Sequence, residues 1–270
     1  MFLRTVKEDD CMLLAILQAR VSSSRFPRKV LAPLLEKPMI LRQIERVRRA
    51  GAIDRLLLAT SDDPSDAELA SLCEREGVEC YRGSLQDVLD RFYHAAVRFE
   101  PRHVVRLTGD CPLADPSVID AVVYKHLREK NDYTSNTLVP TFPDGLDVEV
   151  FRFPLLEEAW RNAELPSERE HVTPFMYKRP ETYKLGNLER EGDNLQHLRW
   201  TVDEPEDLIF VAKIYQALYP SNPSFTTQDV LEFFAEHQEV LEINNKFIRN
   251  EGLLKSAAED KTFLEARRRQ

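Results

Sequence analysis

The chain has 270 residues, 43% of them hydrophobic, which suits one large α/β domain or one domain with an appendage. Its formal net charge is −9, so a broad nucleic-acid-binding face is not expected, and no apolar run is long enough to cross a bilayer. The opening MFLRTVKEDD lacks the apolar core of a signal peptide, and a cytoplasmic location is the expectation. The four cysteines, Cys11, Cys73, Cys80 and Cys111, have no zinc-knuckle spacing and are read as reduced thiols.

The first half alternates short apolar runs with helix-period stretches. MLLAILQ (12–18) reads as a strand, and PMILRQIERVRRA (38–50) as a helix with Ile40, Ile44 and Val47 on one face. DRLLLAT (54–60) is the second strand. PSDAELASLCEREG (64–77) is a helix, with Ser65 and Glu68 as a capping box and Gly77 at its end. VECY (78–81), the helix QDVLDRFYHAAVRF (86–99) and the strand HVVRLT (103–108) follow. PSVIDAVVYKHLREK (116–130) is a helix entered through Asp115 and Pro116.

Repeated strand–helix–strand units predict a parallel sheet covered by helices, with ligands beyond the carboxyl ends of the strands. The second half is less regular. DYTSN (132–136) and LDVEVF (146–151) read as strands around a Pro/Gly loop. Helices follow at 154–164 and 166–180, the second bent or ended near Pro174. LRWTVDEPEDLIFVAKIYQAL (198–218) reads as a strand running into a long helix, and 226–247 as a helical extension with a polar, loose tail after about residue 253. The expected division is a main domain over 11–222 and a C-terminal extension over 223–270.

Two strand ends carry chemistry. ARVSSSRFPRK (19–29) holds three serines and four cations, Arg20, Arg25, Arg28 and Lys29. Such a loop can turn N–H groups, hydroxyls and charges toward a triphosphate, or it can be a solvated basic turn. It has neither the Walker A pattern nor Rossmann glycines. RLTGDCP (106–112) places Asp110 just past a strand, where it suits Mg²⁺ or ends the strand in an Asx-turn. Gly109 would let the backbone approach a ligand closely. Asp203 follows a strand again, as a metal ligand or as an N-cap boxed with Glu206. Asp147 and Glu149 share one strand face, toward solvent or a sugar pocket. Ser167 and Glu170 read as a further capping box, with Arg169 and His171 on a substrate or at the surface.

At these residues the sequence resembles the sugar cytidylyltransferases. ILQARVSSSRFPRKVLAPLLEKPMI is similar to their N-terminal signature, with Glu36 where a glycine is usual before Lys37 and Pro38. ATSDDPSD, YRGSLQDVLDRFYHAA, RLTGDCPLADPSVID, DGLDVEV, REHVTP, RWTVDEPEDL and IRNEGLLKS continue the likeness in order, over residues 13 to about 256. This series resembles the spore-coat polysaccharide branch, related to the acylneuraminate and Kdo cytidylyltransferases. The resemblance implies a three-layer α/β/α sandwich of the nucleotide-diphospho-sugar transferase (GT-A-like) type, with a mixed, mostly parallel sheet and one reversed strand in its second half. It implies CTP, an acidic sugar of the nonulosonic type, Mg²⁺ and a homodimer, with no nucleic-acid or membrane partner. Arg25, Lys29 and Asp110 would be catalytic, and Asp110 and Asp203 would hold the metal. Ala19, Arg20, Ser22, Ser23, Arg82, Gly83 and Ser84 would bind the nucleotide. Asp147, Glu149, Arg169, Glu170 and His171 would bind the sugar. Two other readings differ in chemistry: a glycosyltransferase of the same fold that uses a nucleotide sugar, and a non-catalytic nucleotide or sugar sensor. The dense cationic loop disfavours the first, and the presence of both Asp110 and Asp203 disfavours the second.

Overall fold

A computed structural model describes residues 12–247, 260–265 and 267. Cys11 and the IRNEGLLKS stretch lie outside the described residues. The first apolar run forms β1 (Leu13–Gln18), followed by a small hairpin of β2 (Pro33–Leu34) and β3 (Lys37–Pro38). Then come α1 (Met39–Val47), β4 (Arg55–Ser61), α2 (Ala67–Arg75), β5 (Glu79–Gly83), α3 (Val88–Val97), β6 (His103–Thr108) and α4 (Pro116–Glu129). The second half contributes β7 (Tyr133–Ser135), β8 (Glu149–Arg152), α5 (Phe153–Asn162), α6 (Pro166–His171), α7 (Pro174–Tyr177), β9 (Leu185–Asn187), α8 (Pro205–Leu218) and α9 (Thr227–Glu236).

Seven strands make one sheet in the order β5-β4-β1-β6-β8-β7-β9. β5, β4, β1 and β6 run parallel, β8 is antiparallel to both its neighbours, and β9 is parallel to β7. Side chains alternate across β1. Leu13, Ala15 and Leu17 join the core under α1, α2, α4, α8 and α9, while Leu14 and Ile16 join the core under α3, α5 and α7. A strand buried on both faces reads as a continuous apolar run, which is why MLLAILQ shows no alternation. Each fully buried leucine or isoleucine there contributes roughly 1.5–3 kcal/mol. The result is a three-layer α/β/α sandwich with a mixed, mostly parallel sheet.

Helix starts differ from the sequence reading in three places. Asp63, not Ser65, caps the turn before α2: its carboxylate accepts the Ser65 N–H at 2.9 Å, and Glu68 pairs with Arg28. The N-cap of α8 is Glu204 rather than Asp203, and the reciprocal acceptor is Asp207, 2.9 Å from the Glu204 N–H. The N-cap position of α6 is Leu165 rather than Ser167, and Glu168 takes the place expected of Glu170 by accepting the Leu165 N–H. Asp115 does cap α4, accepting from Ser117 N at 2.8 Å. Its other oxygen takes the Thr227 N–H at 2.7 Å, tying the start of α9 to the start of α4.

Residues 198–203 are not a strand of the sheet; a single bridge joins Arg199 to Asp144. The segment still lies flat against the core, because Trp200 and Val202 are fully buried. Within the tail expected to be loose, residues 260–265 and 267 are helical. There Asp260 accepts the Ser167 N–H at 2.9 Å and its hydroxyl at 2.6 Å.

Candidate active site

Beyond β1 the chain turns through Ala19–Lys29 into a short 3-10 turn, Lys29–Leu31. Two anchors shape this loop. Ala19 N–H donates to Ala59 O at 3.1 Å, and Val21 N–H donates to Asp66 at 2.6 Å. Asp66 is fully buried and also accepts from the Ser61 N–H at 3.0 Å and from the Ser61 hydroxyl. Phe26 packs into the core, and Arg28 adopts a left-handed φ of 63°. Arg28 then turns away from the cleft to a bidentate pair with Glu68.

Lys29 is buried, and its Nζ donates to Asp203 Oδ1 at 2.7 Å, Val202 O at 2.8 Å and Asp110 Oδ2 at 3.3 Å. Arg25 Nη2 lies 2.9 Å from the same Asp203 oxygen. Burial alone would lower the Lys29 pKa, but Asp110 and Asp203 together outweigh it and the value is raised. Burial works to raise Asp110, yet Lys29 and hydrogen bonds from Thr108 and Cys111 bring it down to about 2. Both groups are therefore ionised at neutral pH.

The backbone explains why Asp203 meets Asp110. Val202 N–H donates to Asp110 O at 2.8 Å, so the end of the 198–203 segment lies beside the end of β6. Arg199, buried in that segment, makes two 2.9 Å bonds to Asp207 and reaches Asp203 at 3.4 Å. Asn244 Nδ2 in turn donates to Asp207 at 2.9 Å and to Arg199 O at 3.0 Å. Two glycines permit these approaches. A Cβ on Gly109, which lines the cleft, would stand 2.7 Å from Ala19 Cβ, so that glycine permits the close packing of the end of β6 on the loop after β1. Gly145 has φ +110°, and a Cβ there would stand 2.5 Å from Thr201 N.

A cleft of about 450 Å³ opens beyond β1 and β6. Ala19, Arg20, Ser23, Arg25 and Lys29 line it from the loop, and Asp110 and Asp203 from the opposite wall. Glu170 and His171 close the α6 side. Burial holds the His171 pKa below its ordinary value despite the nearby Glu170 carboxylate. Ser22 is exposed and outside this lining.

The remaining expected residues stand elsewhere. The Arg82 guanidinium donates to Ser61 O at 3.0 Å and Asp63 O at 2.9 Å, and the Ser84 hydroxyl accepts the Asp87 N–H at 2.9 Å. Neither they nor Gly83 line the cleft. Glu149 is buried against Arg106, Tyr133 Oη at 2.6 Å and Thr173 Oγ1 at 2.6 Å. Arg169 binds Asp87 and donates to Trp160 O at 2.7 Å, fastening α6 to α3 and α5. Asp147 lies ahead of β8, in a small hollow beside Cys111. Residues not singled out from sequence also shape the cleft: Gln18, Thr108, Val88 and Arg91 line it, and Asp66 and Arg199 hold its walls. Asp66 and Arg91 sit in helix-forming stretches, where a charge ordinarily marks the solvent face.

The donor set suits a hard divalent cation. Two carboxylates converge on one positive charge, here the Lys29 ammonium. Among the described residues no three His, Cys, Asp or Glu side chains cluster as a metal site. Two carboxylates completed by substrate oxygens and water is the pattern Mg²⁺ adopts at phosphates.

Residues 14–255 match a family model described as cytidylyltransferase. The chain is 34% identical to the spore coat polysaccharide biosynthesis protein SpsF of Bacillus subtilis (strain 168) over 210 residues, 76% of this chain and 86% of that one. It is 33% identical to the uncharacterized protein MJ1063 of Methanocaldococcus jannaschii, over 86% of this chain and 94% of that one. A cytidylyltransferase structure from Leptospira borgpetersenii superposes with a TM-score of 0.82 at 27% identity, over 89% of this chain and all of that one.

Proposed function

The chain belongs to the cytidylyltransferase family, and from that premise we propose that it joins CMP from CTP to a hydroxyl of an acidic sugar, releasing pyrophosphate, in surface polysaccharide synthesis. What supports this reading above all is the meeting of Lys29 and Arg25 with Asp110 and Asp203 at one cleft. A cationic cradle suits a triphosphate, and the facing carboxylates suit its counter-ion.

In the proposed reaction a sugar hydroxyl oxygen forms a bond to the α-phosphorus as the bond to the bridging oxygen breaks. Pyrophosphate leaves with that electron pair, and the hydroxyl proton passes to water. Lys29 and Arg25 neutralise charge growing on the leaving group, the kind of preorganised stabilisation worth 10²–10³ in rate per contact. Asp110 and Asp203 would hold Mg²⁺, which supplies Lewis-acid neutralisation of phosphate charge when bound. Ala19, Arg20 and Ser23 seat the nucleotide, and Glu170 and His171 border the acceptor.

The reading carries a homodimer and a cytoplasmic location as family expectations. No helix among the described residues is long and apolar enough to cross a membrane. We take 11–222 as the catalytic domain and 223–270 as an extension, whose α9 contributes Val230 and Phe234 to the core.

The test is a pyrophosphate-release screen of CTP, UTP, ATP and GTP against a panel of acidic sugars, with and without Mg²⁺. Release from CTP that requires both an acidic sugar and Mg²⁺ is expected. Equal release from all four nucleotides, or none from CTP with any acidic sugar, would overturn the reading.

A further inference from the structure

Arg91 on α3 is 1% exposed and lines the cleft. Its Nη1 donates to Ser84 O at 2.9 Å, while its Nε is buried with no partner. Among the described residues no carboxylate forms an ion pair with it. Other buried cations are provided for. Lys29 has Asp110 and Asp203, Arg106 has Glu149, and Arg199 has Asp207. Arg46 lacks a carboxylate too, but it lies away from the cleft, donates to two carbonyls and stacks on Phe225.

Arg91 also has a cationic neighbour. Arg20 is exposed on the same cleft and makes no side-chain bond among the described residues. Burial and the Arg20 charge outweigh the more distant carboxylates of Asp66, Asp62 and Asp87 and lower the Arg91 pKa to about 10, so the Arg91 guanidinium remains charged at neutral pH. A buried cation facing a second cation costs several kcal/mol unless an anion joins them. Folds retain such a cost mainly where a ligand offsets it. A carboxylate carries one charge for the two forks. A phosphate group of a nucleotide carries more charge and more acceptor oxygens, and it matches paired guanidinium groups better.

We propose that Arg91, with Arg20 beside it, binds a phosphate of CTP in a position distinct from the Lys29 end of the loop. The proposal rests on the cytidylyl-transfer reading above. It makes the floor of the cleft, and not only its rim, part of the nucleotide site. It also gives a reason for a cation on the buried face of α3, between Val88 and Phe92.

The test is equilibrium binding of CTP with Mg²⁺ to the full chain by calorimetry, together with thermal melting with and without CTP, for the wild type, R91Q and R91K. R91Q is expected to weaken CTP binding roughly 10- to 100-fold, as for a lost charge-assisted hydrogen bond. Its melting temperature without nucleotide should stay level or rise, because a buried charge with no carboxylate in direct contact is gone. R91K keeps the charge but not the fork and should fall between. Wild-type affinity in R91Q overturns the proposal. So does a variant that melts earlier without nucleotide yet keeps the full CTP-induced shift, since that is the signature of a structural residue. If R91Q does not fold, R91K decides: a weakening near tenfold supports the proposal, and unchanged affinity overturns it. A wild-type chain that fails to bind CTP removes the underlying reading, and the proposal falls with it.

Discussion

The buried carboxylate of Asp66 accepts the backbone N–H of Val21 at 2.6 Å, and so joins the turn after β4 to the loop after β1. The same carboxylate satisfies the Ser61 N–H and hydroxyl. An asparagine would turn its own NH₂ toward one of these donors. D66N is therefore expected to cost about 3 kcal/mol, a drop in Tm on the order of 5–10 °C. It should also raise the KM for CTP, because the loop loses its anchor. Melting curves and nucleotide-dependent initial rates check both parts; a variant with wild-type Tm and KM counts against the anchoring role.

Asp110 tests the chemistry more directly. D110N is nearly isosteric and leaves the Val202–Asp110 backbone bond in place, so the fold should survive. Pyrophosphate release should fall by roughly 10²–10³. Circular dichroism establishes folding, and a coupled phosphate assay reads the rate. An active D110N enzyme would remove this carboxylate from the mechanism.

Arg199 holds Asp203 from behind through a two-pronged bond to Asp207, which lysine cannot reproduce. R199K should shift the half-saturating Mg²⁺ concentration upward by roughly 10–100-fold, as for lost outer-shell support of a metal ligand. N244A should shift it in the same direction by less, since the Asn244 amide bonds to Asp207 and the Arg199 carbonyl and not to Asp203 itself. Magnesium titrations of the two variants that match the wild type would refute the linkage.

Stability should also depend on pH through a buried histidine pair. His103 Nδ1 lies 2.9 Å from His126 Nε2, and His126 Nδ1 lies 3.0 Å from Thr134 Oγ1. Burial lowers the pKa values to about 4 and about 3, from 6.5. The unfolded chain therefore takes up protons below pH 6.5 that the folded chain refuses. Stability is full above that pH and declines as pH falls toward 4, by up to about 2.7 kcal/mol per pH unit for two such groups, less where His103 is partly exposed. Denaturant midpoints at pH 7.5, 6.0 and 5.0 measure the slope, which H126Q should flatten.

The parts of this architecture legible in sequence are those where one residue pattern has one physical solution. A doubly buried strand must be an unbroken apolar run, so β1 and β4 were visible along with the helices that follow them; β6 has its apolar run broken by Arg106 and is placed by its position between two helices. The convergence of the 19–29 loop with Asp110 followed from the rule that strand ends in a parallel sheet share one edge. Asp203 joined them through the family motif, because a segment held by one bridge leaves no strand periodicity to read. The β2–β3 hairpin and β9 were too short to leave a pattern. Arg82, Glu149 and Arg169, which the family likeness assigns to the ligands, each bond to other parts of the protein. Their partners, Ser61 O, Arg106 and Asp87, lie 21 or more positions away, beyond what local spacing can encode.

Gly145 touches no part of the cleft, yet it lies where the 143–147 turn crosses residues 199–202. Even a methyl group there would lever the crossing apart and swing Asp203 off Lys29. Saturation mutagenesis would find this position as intolerant as the loop cations, through a displacement handed along the main chain. Sequences drifting apart in acceptor preference would have to leave this hinge-pin alone.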